Sequence, residues 1–425
     1  MKLYAHQEKI ISEDPKKTGL FLGTGSGKTR TALFLARGST LVICPKTQKE
    51  DRNWEREWSK IVADRSKKAS DFPRITKLVV VSKEEFRRDW AKLPFFDTVI
   101  VDEAHTCLGV TPNVRFVKRK AIPKTSQLFE ALVAYLLRVK PQRFYLCTAT
   151  IIRSPMTVWG AGRLLGRDWD FYDFRNTYYI RLPMPGREVW QAKTDSATKD
   201  RLAEVVRSLG YIGRLDDFFD VPDQNFKTFH VELTDKQKRR IKDMTTEYPE
   251  PLVRCGKIHQ IENGVLSGDE FNAPEYFDNA KIEKILDLAL EFPRMVIFAR
   301  YKAQIHQLEI ELSKQYKVLI LNGDTKNRGD LIKAANNMKD CIFIAQCQIS
   351  AGWELPDFPV MVFASRNYSF VDYSQALGRI QRANNIKKNL YINLVVEGGI
   401  DEALDKCIEN KQDFDERIYF KNLNR

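Results

Sequence analysis

Residues 20–29 read Leu20-Phe21-Leu22-Gly23-Thr24-Gly25-Ser26-Gly27-Lys28-Thr29. An apolar run that breaks into glycines predicts a strand, a tight loop and then a helix. Glycine lets backbone N–H groups close on an anion, and the helix that follows presents its positive N-terminal end. In that setting Gly23, Thr24, Gly25, Ser26 and Gly27 form a cradle for a triphosphate. Lys28 is placed for the β- and γ-phosphates, and the Thr29 hydroxyl for Mg2+. A strict GxxxxGK[ST] pattern has glycine at position 22, where this chain has Leu22.

Outward from this loop, short apolar runs alternate with helical patterns, which predicts an α/β fold with parallel sheets. In the first half the strands fall at Leu20–Leu22, Leu41–Cys44, Leu78–Val81, Thr98–Val101 and Phe144–Cys147. In the second they fall at Met295–Ala299, Val318–Leu321, Cys341–Ala345, Val360–Ala364 and Leu390–Val395. The Pro- and Asn-containing segment Asp217–Lys227 separates the halves, giving units of 1–220 and 221–425. The chemistry-bearing tracts start where strands end, as ligand sites in open α/β sheets do.

Strand 98–101 delivers Asp102 and Glu103, followed by Ala104 and His105. Adjacent carboxylates at a strand end suit one group holding a metal's water shell and one activating the attacking water. Thr148-Ala149-Thr150 follows the 144–147 strand. His105 either couples the carboxylates to Thr148 and Thr150 or satisfies a local hydrogen bond. Near the far end, Gln375-Ala376-Leu377-Gly378-Arg379-Ile380-Gln381-Arg382 sets Arg379 and Arg382 three apart, expected on one face of a helix near its start. Such arginines neutralise charge on a transferred phosphoryl group, Arg382 being the first choice of arginine finger. Gln375 belongs to the same coupling set.

The chain has 425 residues, 69 basic and 56 acidic, for a net charge of +13, and 43% are hydrophobic. This is a globular composition with a basic excess that suits a polyanionic partner. The seven cysteines show no CxxC pair or metal spacing and read as reduced thiols. Reduced thiols point to a cytoplasmic location, and because no apolar stretch reaches membrane-spanning length a soluble protein is expected. After the carboxylates, Arg115, Lys118, Arg119, Lys120 and Lys124 crowd a segment with Pro112 and Pro123. That segment reads either as a phosphate-contacting loop or as a solvated charge run.

Together these tracts resemble a superfamily 2 helicase, and within that group a compact, phage-type, DEAH-containing Swi/Snf-like ATPase. The likeness extends to LVICPKTQKEDRNWEREW (41–58), LCTATIIRSPMTVWGAGRLLG (146–166), HVELTDKQKRRI (230–241), QIENGVLSGD with NAKIEKI, and QALGRIQRANNIKKN (375–389). The resemblance implies two tandem RecA-like domains with an ATP site in the interdomain cleft and nucleic acid across both. It implies that Gln7 contacts adenine, although Gln7 also reads as an ordinary helix residue. Nucleic-acid contacts carried over are Pro45, Lys46, Ser82, Arg153 with Ser154, Arg300, Asn322, Gly323 and the 348–355 stretch. In that stretch only Gly352 and Leu355 hold to the family pattern, and Trp353 either stacks on a base or packs in the domain. The implied activity is that of an ATP-dependent DNA translocase, with Mg2+ and ATP as cofactors and duplex DNA favoured. The alternatives are a branch-migrating or unwinding helicase, or an ATP-gated nucleic-acid-binding module acting with a partner.

Overall fold

The computed structural model describes residues 3–63, 74–149, 151–184, 187–213, 217–218, 224–268, 273–349, 352–381 and 388–409. The chain divides into two compact units, Met1–Asp220 and Val221–Arg425. Each unit is built on one six-stranded parallel sheet, the architecture of tandem RecA-like domains.

In the first unit the strands are β1 (Lys17–Leu22), β2 (Arg37–Cys44), β3 (Arg74–Ser82), β4 (Thr98–Asp102), β7 (Arg143–Cys147) and β10 (Gly210–Gly213). Their order across the sheet is β10-β1-β7-β4-β2-β3. The central strands β4 and β7 are buried along their whole length, as expected of parallel strands covered on both faces. Alternation then sorts their residues between two cores. Phe21, Leu41, Ile43, Val99, Val101, Phe144 and Leu146 face one apolar cluster. Leu20, Leu22, Val42, Cys44, Ile100, Tyr145 and Cys147 face the other. Truncating such a residue to alanine costs about 2–5 kcal/mol, because the packed helices close the cavity only in part.

Two hairpins project from this unit. They are β5 (Val110–Val117) with β6 (Lys120–Thr125), and β8 (Tyr179–Met184) with β9 (Arg187–Ala192). The basic segment after the carboxylates is therefore a β-hairpin and not the loop expected from its prolines and charges. Pro112 is accommodated where the register shifts between Val110 and Val114. The turn is Lys118-Arg119, at φ 47° and 65°. Two-residue hairpin turns require positive φ and usually take Asn-Gly, so the two cations occupy a backbone region costing L-residues roughly 1–2 kcal/mol each.

In the second unit the strands are β11 (Asn225–Val231), a short pair β12 (Val265–Leu266) and β13 (Glu275–Tyr276), then β14 (Arg294–Ala299), β15 (Val318–Leu321), β16 (Cys341–Gln346), β17 (Val360–Phe363) and β18 (Leu390–Val396). The sheet order is β11-β18-β17-β14-β16-β15, again all parallel. Asn225–Lys227, assigned from sequence to the connecting segment, is the start of β11. Pairing with β18 from Asn225↔Leu390 onward draws it into the sheet edge. Two clusters again divide the alternating side chains, Met295, Ile297 and Ile344 on one face and Val296, Phe298 and Phe343 on the other.

All seven cysteines are free thiols, six of them buried. Among the described residues no helix is long and apolar enough to cross a membrane.

Candidate active site

The sheet order of the first unit places β7 between β1 and β4. Three neighbouring strands therefore end side by side, in the glycine loop, Thr148 and the Asp102–Glu103 pair. Register fixes the level: Leu20 pairs with Cys147 and Asp102 with Cys147.

In the glycine loop, Gly25 and Gly27 have φ of 77° and 82°. A Cβ on Gly27 would lie 2.3 Å from Nε2 of Gln7, so only glycine fits there. Ser26 is buried and donates through Oγ to the Gly23 carbonyl at 2.7 Å, holding the loop closed from within. Lys28 opens the helix Lys28–Leu35, with the half-buried Thr29 next to it. Its Nζ donates to the carbonyls of Leu22 at 2.7 Å and Gly23 at 3.0 Å. Thr24 is half-buried on the loop crest. Gln7 is fully buried and donates to Gly27 O at 3.1 Å and Thr31 Oγ1 at 3.3 Å. Its Oε1 accepts from the Tyr4 backbone. It braces the loop, and an adenine contact requires those bonds to be exchanged. Beside it, His6 contacts Ser26 O at 2.9 Å and stacks on Phe218 at 4.0 Å. This aromatic pair next to the loop was not read from the sequence.

Asp102 is buried, and both its oxygens are engaged. Oδ2 accepts from Trp54 Nε1 at 3.1 Å, and Oδ1 accepts from the Glu103 backbone at 2.9 Å. Burial, with the Glu103 charge next to it, pushes the Asp102 carboxyl up to about 6. Glu103 sits at φ 43°, ψ 52°, an uncommon left-handed backbone for a non-glycine residue. Three donors to its carbonyl hold it there: Lys83 Nζ at 2.8 Å, Thr106 Oγ1 at 3.0 Å and Thr106 N at 3.1 Å. Glu103 Oε2 is buried without a hydrogen bond, 3.4 Å from His105 Nδ1. His105 Nδ1 instead bonds Thr148 Oγ1 at 2.8 Å. Burial, reinforced by Lys83, Arg153 and Lys28, lowers the imidazole to about 3, so it is neutral at ordinary pH. Thr150 lies outside the described residues.

Two members of this site were not read as such from the sequence. Trp54 was assigned to core or domain surface, and it is fully buried yet also holds Asp102. Lys83 is buried, and its ammonium bridges Glu103 O and Thr106 Oγ1. Their partners lie 48 and 20 residues away along the chain, beyond the reach of any local pattern.

In the second unit Arg379 departs from expectation. The helix Phe370–Leu377 ends before it, so Arg379 follows the C-terminal end of a helix and is not near a start. Its Nε caps the Gln375 carbonyl at 2.9 Å, satisfying a helix-end acceptor that would otherwise lack a partner. Its Nη1 reaches Trp353 O at 2.8 Å, and its own carbonyl accepts from Leu355 N at 2.9 Å. The guanidinium is thus buried and braces the 353–355 segment. The Gln375 side chain is buried too. Trp353 packs against Phe298 and Phe343 in the core. Arg382 lies outside the described residues.

Residues 280–384 match the family described as helicase conserved C-terminal domain. That match spans a segment of the second unit. A solved structure, the Sulfolobus solfataricus SWI2/SNF2 ATPase core in complex with dsDNA, is similar at 18% identity and a TM-score of 0.38, covering 97% of this chain and 91% of that one. No curated protein matches.

Within the matched segment, the half-buried Arg300 stacks its guanidinium 3.7 Å over the Tyr368 ring. Its Nη1 is buried without a hydrogen-bond partner. Asn322 accepts from Asp324 N at 3.0 Å, and the exposed Gly323 donates to Gln346 Oε1. Gly352 has φ 89°. Behind them lies a buried network. Lys281 Nζ contacts Asp401 Oδ2 at 2.5 Å and Asn263 Oδ1 at 2.7 Å, and His259 Nε2 contacts Asp401 Oδ1 at 3.1 Å. His259, Glu262 and Asp401 have a ligand-like spacing, but the Lys281 ammonium already supplies the cation there.

The remaining nucleic-acid candidates lie in the first unit. Pro45 caps a short helix, and Lys46 is exposed with Glu50 3.6 Å away. Ser82 is buried and caps the helix Lys83–Asp89 through the Glu85 backbone. Arg153 is exposed ahead of the cap Ser154. Lys118, Arg119 and Lys120 are exposed at the hairpin tip.

Proposed function

We propose that the chain is an ATP-dependent DNA translocase, driven along duplex DNA by Mg2+-dependent ATP hydrolysis. One observation carries this reading. The glycine loop, Thr148 and the Asp102–Glu103 pair leave neighbouring strands of one sheet, in a chain that also matches the helicase C-terminal domain family.

The residues present suit a magnesium nucleotide. Two glycines at positive φ, a helix N-terminus and a lysine form an anion cradle. The buried, unbonded Glu103 Oε2 is an acceptor with no protein donor. Bound Mg2+ would neutralise phosphate charge as the γ-phosphoryl group is displaced. With nucleotide bound, Lys28 would exchange its two loop carbonyls for phosphate oxygens, and Thr29 and Asp102 would hold the metal. Trp54 and the Glu103 amide keep the Asp102 carboxylate oriented. Glu103 takes the proton of the attacking water at Oε2. His105, neutral, relays the state of Glu103 to Thr148. Arg379 braces its own segment, while Arg382 is proposed as the arginine finger on sequence grounds alone.

DNA as the track follows from the Swi/Snf-like tracts and the basic excess of the chain. A branch-migrating or unwinding helicase is the second reading, favoured by the hairpin β5–β6. The experiment is ATP turnover with and without duplex DNA, for the natural chain and for Glu103→Gln and Lys28→Ala. The reading expects DNA-stimulated turnover that Glu103→Gln loses by at least about 100-fold while still binding ATP. It expects Lys28→Ala to bind ATP weakly. Normal turnover by Glu103→Gln would remove Glu103 as the base.

A further inference from the structure

The hairpin β5–β6 has a fixed root and a bare tip. At the root, Val110 is buried in the core and Val114 packs against it. Arg115 Nη2 pairs with Glu130 at 2.5 Å, Thr125 Oγ1 donates to the same carboxylate at 2.6 Å, and Arg175 reaches Pro112 O. Beyond Arg115 the character changes. Phe116 is 74% exposed and Val117 45%, and Lys118, Arg119 and Lys120 are all exposed. Among the described residues no side-chain hydrogen bond, ion pair or ring contact engages Phe116, Lys118, Arg119 or Lys120. A groove of about 490 Å³ runs from the root to the carboxylate tract, lined in part by His105, Lys124, Ser126 and Arg153.

A lone exposed aromatic on a protein surface is ordinary. Here the ring stands near the end of a two-stranded ribbon, two residues before a turn of exposed cations. That combination complements a nucleic acid: cations for the phosphates and a flat apolar face for a base. Bases inside an intact duplex already stack on each other, so the ring finds a partner only where a base is unpaired.

We propose that the β5–β6 tip is a junction-sensing element, in which Phe116 stacks on an unpaired base at the boundary between duplex and single strand while Lys118, Arg119 and Lys120 hold the flanking phosphates. It rests on the reading that the chain acts on DNA, and it names the DNA structure this face prefers. The groove beside the hairpin root reaches His105 in the carboxylate tract.

The test is fluorescence anisotropy with the full chain on a blunt duplex and on a fork containing the same duplex. Natural chain, Phe116→Ala, Phe116→Trp and Lys118→Gln/Arg119→Gln/Lys120→Gln are compared. The natural chain is expected to bind the fork about tenfold more tightly than the duplex. Phe116→Ala brings that ratio close to one, and Phe116→Trp keeps it. The triple variant weakens binding to both DNAs and lowers the salt slope by up to about 3. A fork preference that survives Phe116→Ala overturns the proposal, as does equal binding of fork and duplex by the natural chain. Equal binding leaves DNA-stimulated ATP turnover intact, whereas loss of that stimulation removes the underlying reading as well.

Discussion

The indole Nε1 of Trp54 donates to Oδ2 of Asp102 at 3.1 Å inside a fully buried pocket. Two side chains 48 residues apart are thus joined, and the indole fixes the orientation of the carboxylate proposed to hold the metal. A donor to a buried carboxylate contributes about 1.5–3 kcal/mol and favours the ionised form. Trp54→Phe keeps an aromatic ring and removes the donor. The Mg2+ concentration giving half-maximal ATP turnover should rise by about tenfold. An unchanged magnesium requirement would show that the indole only fills space.

Lys83 holds the left-handed turn of Glu103 through a 2.8 Å bond to its carbonyl. Lys83→Met retains most of the packed stem and loses the ammonium. Turnover should fall by about 10- to 100-fold while ATP affinity stays within about twofold, since misplacing the proposed base Glu103 would cost rate and not binding. The check is a pair of measurements, steady-state turnover and equilibrium nucleotide binding. Matching losses in both would mean that Lys83 supports the fold of the whole site.

His105 Nδ1 and Thr148 Oγ1, 2.8 Å apart, join the ends of β4 and β7. Thr148→Val preserves shape and breaks this bond. The ratio of DNA-stimulated to unstimulated ATP turnover should drop by about fivefold or more, the lower range of coupling energies between sites. A full stimulation ratio in Thr148→Val would place the coupling elsewhere.

Burial, with the Asp401 carboxylate next to it, pushes Glu262 up to about 8 from an ordinary 4.5. Both its oxygens accept from the Ile400 backbone, at 3.0 and 3.1 Å. Between pH 4.5 and 8 the folded chain holds a proton that the unfolded chain releases. Unfolding free energy contributed by this group therefore falls as pH rises through that window. Glu262→Gln mimics the protonated form, so its stability should decline less steeply between pH 5 and 8 in urea titrations. Parallel pH profiles for the two proteins would contradict the assignment.

Strands β4 and β7 were legible because strands covered on both faces read as unbroken apolar runs, and the glycines after Leu22 marked where β1 ends. The edge strands β10 and β11 were not. Gly210–Gly213 is four residues long, and Asn225–Val231 is largely exposed, so neither shows a continuous apolar signal. The hairpin was hidden because Lys118 and Arg119 stand where Asn-Gly would have announced a turn. Glu103 and His105 could be picked out from their place after a strand, whereas Trp54 and Lys83 join them only through the fold. Arg379 had the right neighbours in sequence. Its capping of Gln375, however, depends on where the helix stops.

The central claim is that this chain couples ATP hydrolysis to DNA. ATP turnover measured with no nucleic acid, single-stranded DNA, plain duplex, forked DNA and RNA, with Glu103→Gln as blank, tests it most directly. The account predicts strong stimulation by duplex DNA, absent from the blank. Turnover unchanged by every nucleic acid would contradict it.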